Sequence, residues 1–189
     1  GFMFAPAHHT SMKHVGPSRV ELGTRTIFNL LGPLSNPAGV RRQVTGVFSK
    51  AWVQPMAQVL NNLGGEACWI CHGEGGFDEI VPTGITWISE LKNGSISSFE
   101  VTPENVGLKR SAASDLKGGD AGHNAEAVRS VLQGEPSAFR DAAIMTAGAA
   151  LLVAGEAKTL REGVTAAQAV INSGAARKAM ETLVKVSNG

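Results

Sequence analysis

The sequence predicts an α/β fold with a mixed, largely parallel sheet flanked by helices. Three observations carry that expectation. Between residues 43 and 71 a strand pattern, a helical pattern and a second strand pattern follow one another, the order that favours parallel pairing through a crossover helix. Two further strand patterns, residues 85–91 and 95–101, flank Asn93-Gly94, the strongest short-range signal for a two-residue hairpin turn. From residue 124 onward the periodicity is helical, with glycines at the stops.

Taken in order, residues 2–4 read as a short buried strand, after which Pro6 ends regular structure. Residues 11–22 suit a helix, with Pro17 tolerated only near its start. A second helical piece covers residues 26–31 and is expected to end at Gly32-Pro33, before the further breakers Ser35-Asn36-Pro37. Residues 43–48 form a strand, and residues 52–63 a helix closed by Gly64-Gly65. Residues 67–71 are nearly continuously apolar, as in a strand covered on both faces. Helices are expected over 124–132, 137–153, 164–172 and 176–186, stopped at Gly134, Gly155 and Gly174. The longest apolar stretch, residues 142–155, is shorter than the about 20 residues that span a bilayer and reads as a buried helix.

Composition narrows the function classes. Glycine supplies 23 of 189 residues, above a usual share of about 7%, which points to tight turns or to loops where backbone approaches a ligand. A charged fraction of 17% with 43% hydrophobic residues excludes a disordered chain. A net charge of +1 without basic clusters argues against non-specific nucleic-acid binding, which depends on many Lys and Arg releasing counterions. The opening Gly1-Phe2-Met3-Phe4-Ala5-Pro6 lacks the positive flank and long apolar run of a signal peptide. Two cysteines make no disulfide framework, so a reducing cytoplasm is the expected compartment. With no initiator Met and strand-like first residues, the chain is expected to be cut from something longer.

Five segments are candidates for chemistry. His72-Gly73-Glu74-Gly75-Gly76-Phe77-Asp78-Glu79 follows the apolar strand directly, and ligands of α/β sheets bind beyond the carboxyl ends of strands. The adjacent carboxylates of Asp78 and Glu79 suit Mg²⁺, which joins substrate phosphates to one or two carboxylates; a plain glycine turn with solvated acids is the alternative. Ala7-His8-His9-Thr10-Ser11-Met12-Lys13-His14, with Arg19 beyond it, is suited to an anion, since a guanidinium forks a carboxylate with two parallel hydrogen bonds. The competing reading is a loop-to-helix junction with surface histidines. The breakers within residues 21–37 are compatible with a hinge or with a rigid connector. In Cys68-Trp69-Ile70-Cys71 the two thiols point to opposite faces of a strand, which works against a disulfide and favours buried, inert cysteines. Lys117-Gly118-Gly119-Asp120 before a helix has a fragment of a phosphate cradle without the full P-loop spacing, and a helix-start role suits it better. No Ser-His-Asp set is distinguishable, and without Tyr there is no phenolic acid or base.

Together these segments closely resemble the anthranilate phosphoribosyltransferase family. The matching stretches are Phe4-Ala5-Pro6-Ala7-His8-His9, Met12-Lys13-His14-Val15, Arg19 with Glu21-Leu22-Gly23, and Arg25-Thr26-Ile27-Phe28-Asn29-Leu30-Leu31-Gly32-Pro33-Leu34 with Asn36-Pro37-Ala38. His72-Gly73, Asp78-Glu79, Gly118-Gly119-Asp120-Ala121 and Asn124-Ala125 continue the match. The resemblance implies a nucleoside phosphorylase/phosphoribosyltransferase type of catalytic domain, with residues 1–189 forming most of one larger α/β domain. It implies that Arg19 holds the anthranilate carboxylate, that His9 lines the anthranilate channel, and that Gly32 and Pro33 form a hinge beside it. Asp78 and Glu79 are implied as the pair that holds Mg²⁺ on phosphoribosyl pyrophosphate. The reaction implied is transfer of phosphoribosyl to anthranilate in tryptophan biosynthesis, by a cytoplasmic homodimer joined through a helical domain, with no nucleic-acid or membrane partner.

Departures from the family pattern accompany the match. The family's Gly-Thr-Gly-Gly-Asp pyrophosphate loop and its Lys-x-Gly-Asn and Ser-rich phosphate segments are not among these residues, so the 189 residues alone are expected to be inactive. Gly75 stands where the family usually has Asp. Three other readings are a same-fold phosphoribosyltransferase or nucleoside phosphorylase with another acceptor, a non-catalytic relative that binds nucleic acid, and a purely structural domain.

Overall fold

The computed structural model describes residues 3–8, 14, 16–24 and 26–189, which fall into two compact units, Gly1–Arg41 and Arg42–Gly189. In the first unit α1 (Ala5–His8), α2 (Gly16–Leu22) and α3 (Phe28–Leu34) are short helices. Pro6 sits inside the first turn of α1 rather than ending regular structure, because the N–H it lacks would have no helical partner there. Met3 and Phe4 precede that helix with 45% and 60% exposure, outside any strand. The expected buried strand is therefore corrected where it is described; Phe2 lies outside the described residues. A strand needs a neighbour to satisfy its amides, and the described residues of this unit offer none.

α2 carries Pro17 at its second position, where proline is tolerated; of the expected earlier turn, residues 11–13 and 15 lie outside the described residues. Thr26 and Asn29 cap the start of α3 reciprocally: Thr26 N donates to Asn29 Oδ1 at 2.9 Å and Phe28 N to Thr26 Oγ1 at 3.3 Å. The helix runs through Gly32-Pro33 instead of stopping there. Pro33 falls in the last turn, and Ser35 closes the helix beyond it, its amide and hydroxyl both donating to the Leu31 carbonyl at 3.0 and 2.7 Å.

The second unit is built on four strands, β1 (Arg42–Gly46), β2 (Ala67–Gly73), β3 (Thr86–Lys92) and β4 (Ser95–Val101), in the spatial order β1-β2-β3-β4. β1 and β2 pair parallel across α4 (Val53–Asn62), while β2–β3 and β3–β4 pair antiparallel. The sheet is mixed, as expected, but mostly antiparallel rather than largely parallel. The reason lies in residues 74–85, which return the chain directly beside β2 without the crossover that a parallel neighbour requires. The β3–β4 turn has Asn93 at φ 51 and Gly94 at φ 78, the two positive angles of the type I′ turn that Asn-Gly signals.

Helices α5 (Ala121–Gln133), α6 (Ala138–Ala154), α7 (Leu160–Asn172) and α8 (Ala175–Ser187) follow. Polar caps start three of them: Asp120 accepts from His123 N at 2.8 Å, Ser137 from Arg140 N at 3.1 Å and Thr159 from Glu162 N at 3.2 Å. Such caps satisfy amides that have no helical partner. One sheet face, with Trp69, Cys71, Ile88 and Val101, packs on Ile144, Met145, Ala149 and Val153 of α6 and on Val164, Ala167 and Ile171 of α7. Each such aliphatic side chain contributes about 1.5–3 kcal/mol when fully buried. On the opposite side α4 lies against β2 and β3. α6 and α7 cross at Gly148 and Gly163, where a Cβ on Gly148 would stand 2.6 Å from the Val164 amide and one on Gly163 would overlap the Gly148 carbonyl. No single helix among the described residues is long and apolar enough to cross a membrane.

Candidate phosphate and metal site

β2 runs two residues beyond its apolar core and carries His72 and Gly73 into the glycine-rich segment. There the chain folds on itself, Gly73 N donating to the Phe77 carbonyl at 2.7 Å and Phe77 N to that of Gly73 at 3.2 Å. Gly75 and Gly76 lie at φ 88 and 89, a conformation that favours glycine. The position where the family usually has Asp thus serves here as turn backbone. Glu74 is turned away from the other acids: its Oε2 accepts from Ile85 N at 3.0 Å, and its own amide donates to the Ile85 carbonyl at 2.7 Å. Its carboxylate fills the space a Cβ on Gly84 would need.

Asp78 and Glu79 leave this turn exposed, followed by the fully buried Ile80 and Val81. The two acids sit against the ends of both parallel strands. A Cβ on Gly46, the last residue of β1, would overlap the Asp78 carbonyl, and one on Gly73 would stand 2.9 Å from that of Glu79. The pair is therefore seated at the carboxyl ends of β1 and β2, where α/β folds bind ligands. Gly46 escaped the sequence reading, although an isolated glycine within a strand pattern signals close backbone approach. Its partner, remote in sequence, carries no such signal.

Desolvation of its partly covered carboxyl group, and then the charge of Asp78, raise Glu79 above the ordinary glutamate range. Among the described residues no cationic side chain pairs with either acid, and no group of three or more His, Cys, Asp or Glu gathers. Two neighbouring carboxylates without a counter-charge fit Mg²⁺, whose remaining positions go to water and phosphate oxygens. On the opposite face of β2 from Cys71, His72 is buried, its Nδ1 donating to the Val47 carbonyl at 2.8 Å and its ring stacked 6.0 Å from that of Trp87.

Of the other expected site residues, Gly32 and Pro33 are partly buried inside α3. Arg19 is on α2, and its side chain lies outside the described residues, as does His9. His8 and His14 are exposed. The Lys117–Asp120 segment is a helix start: besides the Asp120 cap, Asn124 Oδ1 accepts from Gly119 N at 2.9 Å and Asn124 Nδ2 donates to the Gly119 carbonyl at 3.0 Å. Of its amides, that of Gly119 is taken by Asn124 and that of Lys117 by the Ser114 carbonyl at 3.3 Å.

Both cysteines are buried thiols. Burial, followed by the charges of Glu79 and Asp78, pushes the Cys71 thiol up to about 12. The folded state therefore holds this proton where the unfolded chain has lost it, and stability falls as pH rises from about 9 toward 12. Iodoacetamide at pH 8 is expected to leave both thiols of the native protein unmodified and to alkylate both in denaturant, as read by intact mass; rapid native alkylation would contradict this.

Residues 1–177 match the family model described as glycosyl transferase family, a/b domain. The chain belongs to that family. Within it, the chain is similar to an anthranilate phosphoribosyltransferase from Bradyrhizobium diazoefficiens, at 63% identity over 189 residues that make up 100% of this chain and 56% of that protein. Among solved structures, the anthranilate phosphoribosyltransferase of Thermus thermophilus superposes with a TM-score of 0.92 at 44% identity, covering 100% of this chain and 56% of that one. That of Saccharomyces cerevisiae in complex with PRPP and Mg gives a TM-score of 0.80 at 28% identity, over 92% of this chain and 50% of that one. This glycosyl transferase chain thus spans about half the length of the relatives it matches, and its mixed sheet flanked by helices is of the phosphoribosyltransferase catalytic-domain type.

Proposed function

We propose that the full-length protein is an anthranilate phosphoribosyltransferase, joining anthranilate to the ribose of phosphoribosyl pyrophosphate with release of pyrophosphate in tryptophan biosynthesis. The observation that carries this reading is the exposed Asp78–Glu79 pair at the ends of β1 and β2, which no cationic side chain among the described residues pairs with, in a chain similar over its whole length to such an enzyme. Asp78 and Glu79 hold Mg²⁺, which when bound neutralises charge on the departing pyrophosphate. Arg19 grips the anthranilate carboxylate with its guanidinium fork, so that the amine faces the ribose carbon. His9 lines the same acceptor channel, beside Gly32 and Pro33. The amine attacks C1 of the ribose as the C1–oxygen bond to pyrophosphate breaks. Its proton passes to pyrophosphate or water, since an aromatic amine needs no strong base.

In this reading residues 1–189 make up a single α/β catalytic domain. Two buried thiols outside any disulfide support a reducing compartment such as the cytoplasm. The assembly proposed is a homodimer through a helical domain, which the family resemblance supports.

Arg19→Ala tests the assignment. In the full-length protein it is expected to raise KM for anthranilate by roughly 10- to 100-fold, the worth of a charge-assisted hydrogen-bonded pair at about 1.5–3 kcal/mol. KM for phosphoribosyl pyrophosphate should move far less. Equal effects on both substrates would argue against the role given to Arg19.

A further inference from the structure

Resting on the metal-site reading above, we infer that the carboxyl end of β1 is the positioning device for the acidic pair, with Gly46 and His72 as its two working residues. Asp78 and Glu79 stand between the turn closed by the Gly73–Phe77 bonds and the fully buried Ile80 and Val81. A further hold lies one strand away. Gly46 leaves open the space that the Asp78 carbonyl occupies, so the pair rests directly on β1 backbone. The next residue, Val47, is held from both sides: its amide donates to the Cys71 carbonyl at 2.9 Å, and its carbonyl accepts from His72 Nδ1 at 2.8 Å.

A carbonyl only accepts, so Nδ1 carries the proton in this bond. His72 in turn stacks on Trp87 with an interplanar angle of 19°, and the Lys50 ammonium lies 4.1 Å from the centre of the Trp87 ring. β1 is thereby locked to β2 at the level where Asp78 rests. Neither Gly46 nor His72 touches metal in this reading; both act through the backbone of the pair. Groups behind metal ligands typically change affinity by about 10- to 100-fold when removed.

The test uses the full-length protein, Mn²⁺ with inorganic pyrophosphate as the probe, electron paramagnetic resonance for affinity, and the amide resonances of Asp78 and Glu79 for position. Gly46→Ala and His72→Phe are expected to weaken Mn²⁺ binding by about tenfold or more and to shift both amides. His72→Asn, which keeps a donor for the Val47 carbonyl, should stay within about threefold of the parent, since its hydrogen bond survives. Unchanged affinity and unchanged amides in folded Gly46→Ala would overturn the inference, as would His72→Phe and His72→Asn behaving alike. If Gly46→Ala does not fold, the two His72 variants decide. Mn²⁺ binding that persists in Asp78→Asn/Glu79→Gln would defeat the metal reading instead, and the amide shifts would still judge the seat.

Discussion

Replacing Asp78 by Asn and Glu79 by Gln together is expected to lower Mg²⁺-dependent turnover of the full-length enzyme by at least about 10²-fold, the scale seen when groups that stabilise transition-state charge are removed. Both changes preserve shape, and both side chains are exposed, so folding should be spared. Removing two like charges from one turn also relieves the repulsion that helps raise the Glu79 carboxyl. A pH signature accompanies the effect. Metal binding needs both carboxylates ionised, and Glu79 protonates at a higher pH than an ordinary glutamate. Mg²⁺ affinity of the parent should therefore weaken, as pH falls, sooner than for unperturbed acids. Titration of activity against Mg²⁺ at several pH values checks both points; curves that coincide for parent and double variant would contradict the role of the pair.

Gly148→Ala is the stability counterpart. The new methyl would meet the Val164 amide at 2.6 Å and the Gly163 carbonyl carbon at 2.9 Å, atoms of the α7 backbone that cannot rotate away as a side-chain tip would. Overpacking of this kind costs typically 1–3 kcal/mol, and backbone contact places this site at about 3 kcal/mol. For a chain of this size that corresponds to a Tm lower by roughly 6–12 °C. The helices must separate at the point where Ile144, Met145 and Ala149 of one meet Val164 and Ala167 of the other, so the damage spreads into the core. Calorimetry would decide: a Tm within about 1 °C of the parent, less than the shift from 1 kcal/mol, would show that the crossing has room.

Local chemistry made much of this legible. β4 spans 95–101 as expected because Asn93-Gly94 dictates both the turn and the register. α5 to α8 end close to where their periodicity puts them, but α5 and α7 begin at Ala121 and Leu160, three and four residues before the expected 124 and 164, where Asp120 and Thr159 cap them. The errors share a cause, which is that the deciding partner is remote or the competing signal is weak. Pro33 reads as a breaker, yet in a last turn it removes only one bond. Met3 and Phe4 are apolar, but apolar character does not supply a neighbouring strand. The sheet's mostly antiparallel pairing turns on whether residues 74–85 bring the chain straight back beside β2 or carry it over in a crossover, which no window of sequence encodes. At the site, Asp78 and Glu79 were readable from glycine density after an apolar strand. The exclusion of Glu74 by its bond to Ile85 was not. Gly46 is the same problem in purest form: its own residue type is informative, and its counterpart at Asp78 is visible only in three dimensions.

β2, β3 and β4 follow one another with no excursion elsewhere in the chain, and the acid-bearing turn is the connection inside that meander. Contacts so near in sequence lose little chain entropy on closing. The helices still reach the acids, because the flanking residues Ile80 and Phe77 pack in the clusters that hold Ile144 and Met145 and Ala138 and Ala142 of α6. The last stretch of β1, which arrives from outside the meander, is a second route by which distant change is transmitted to the chemistry.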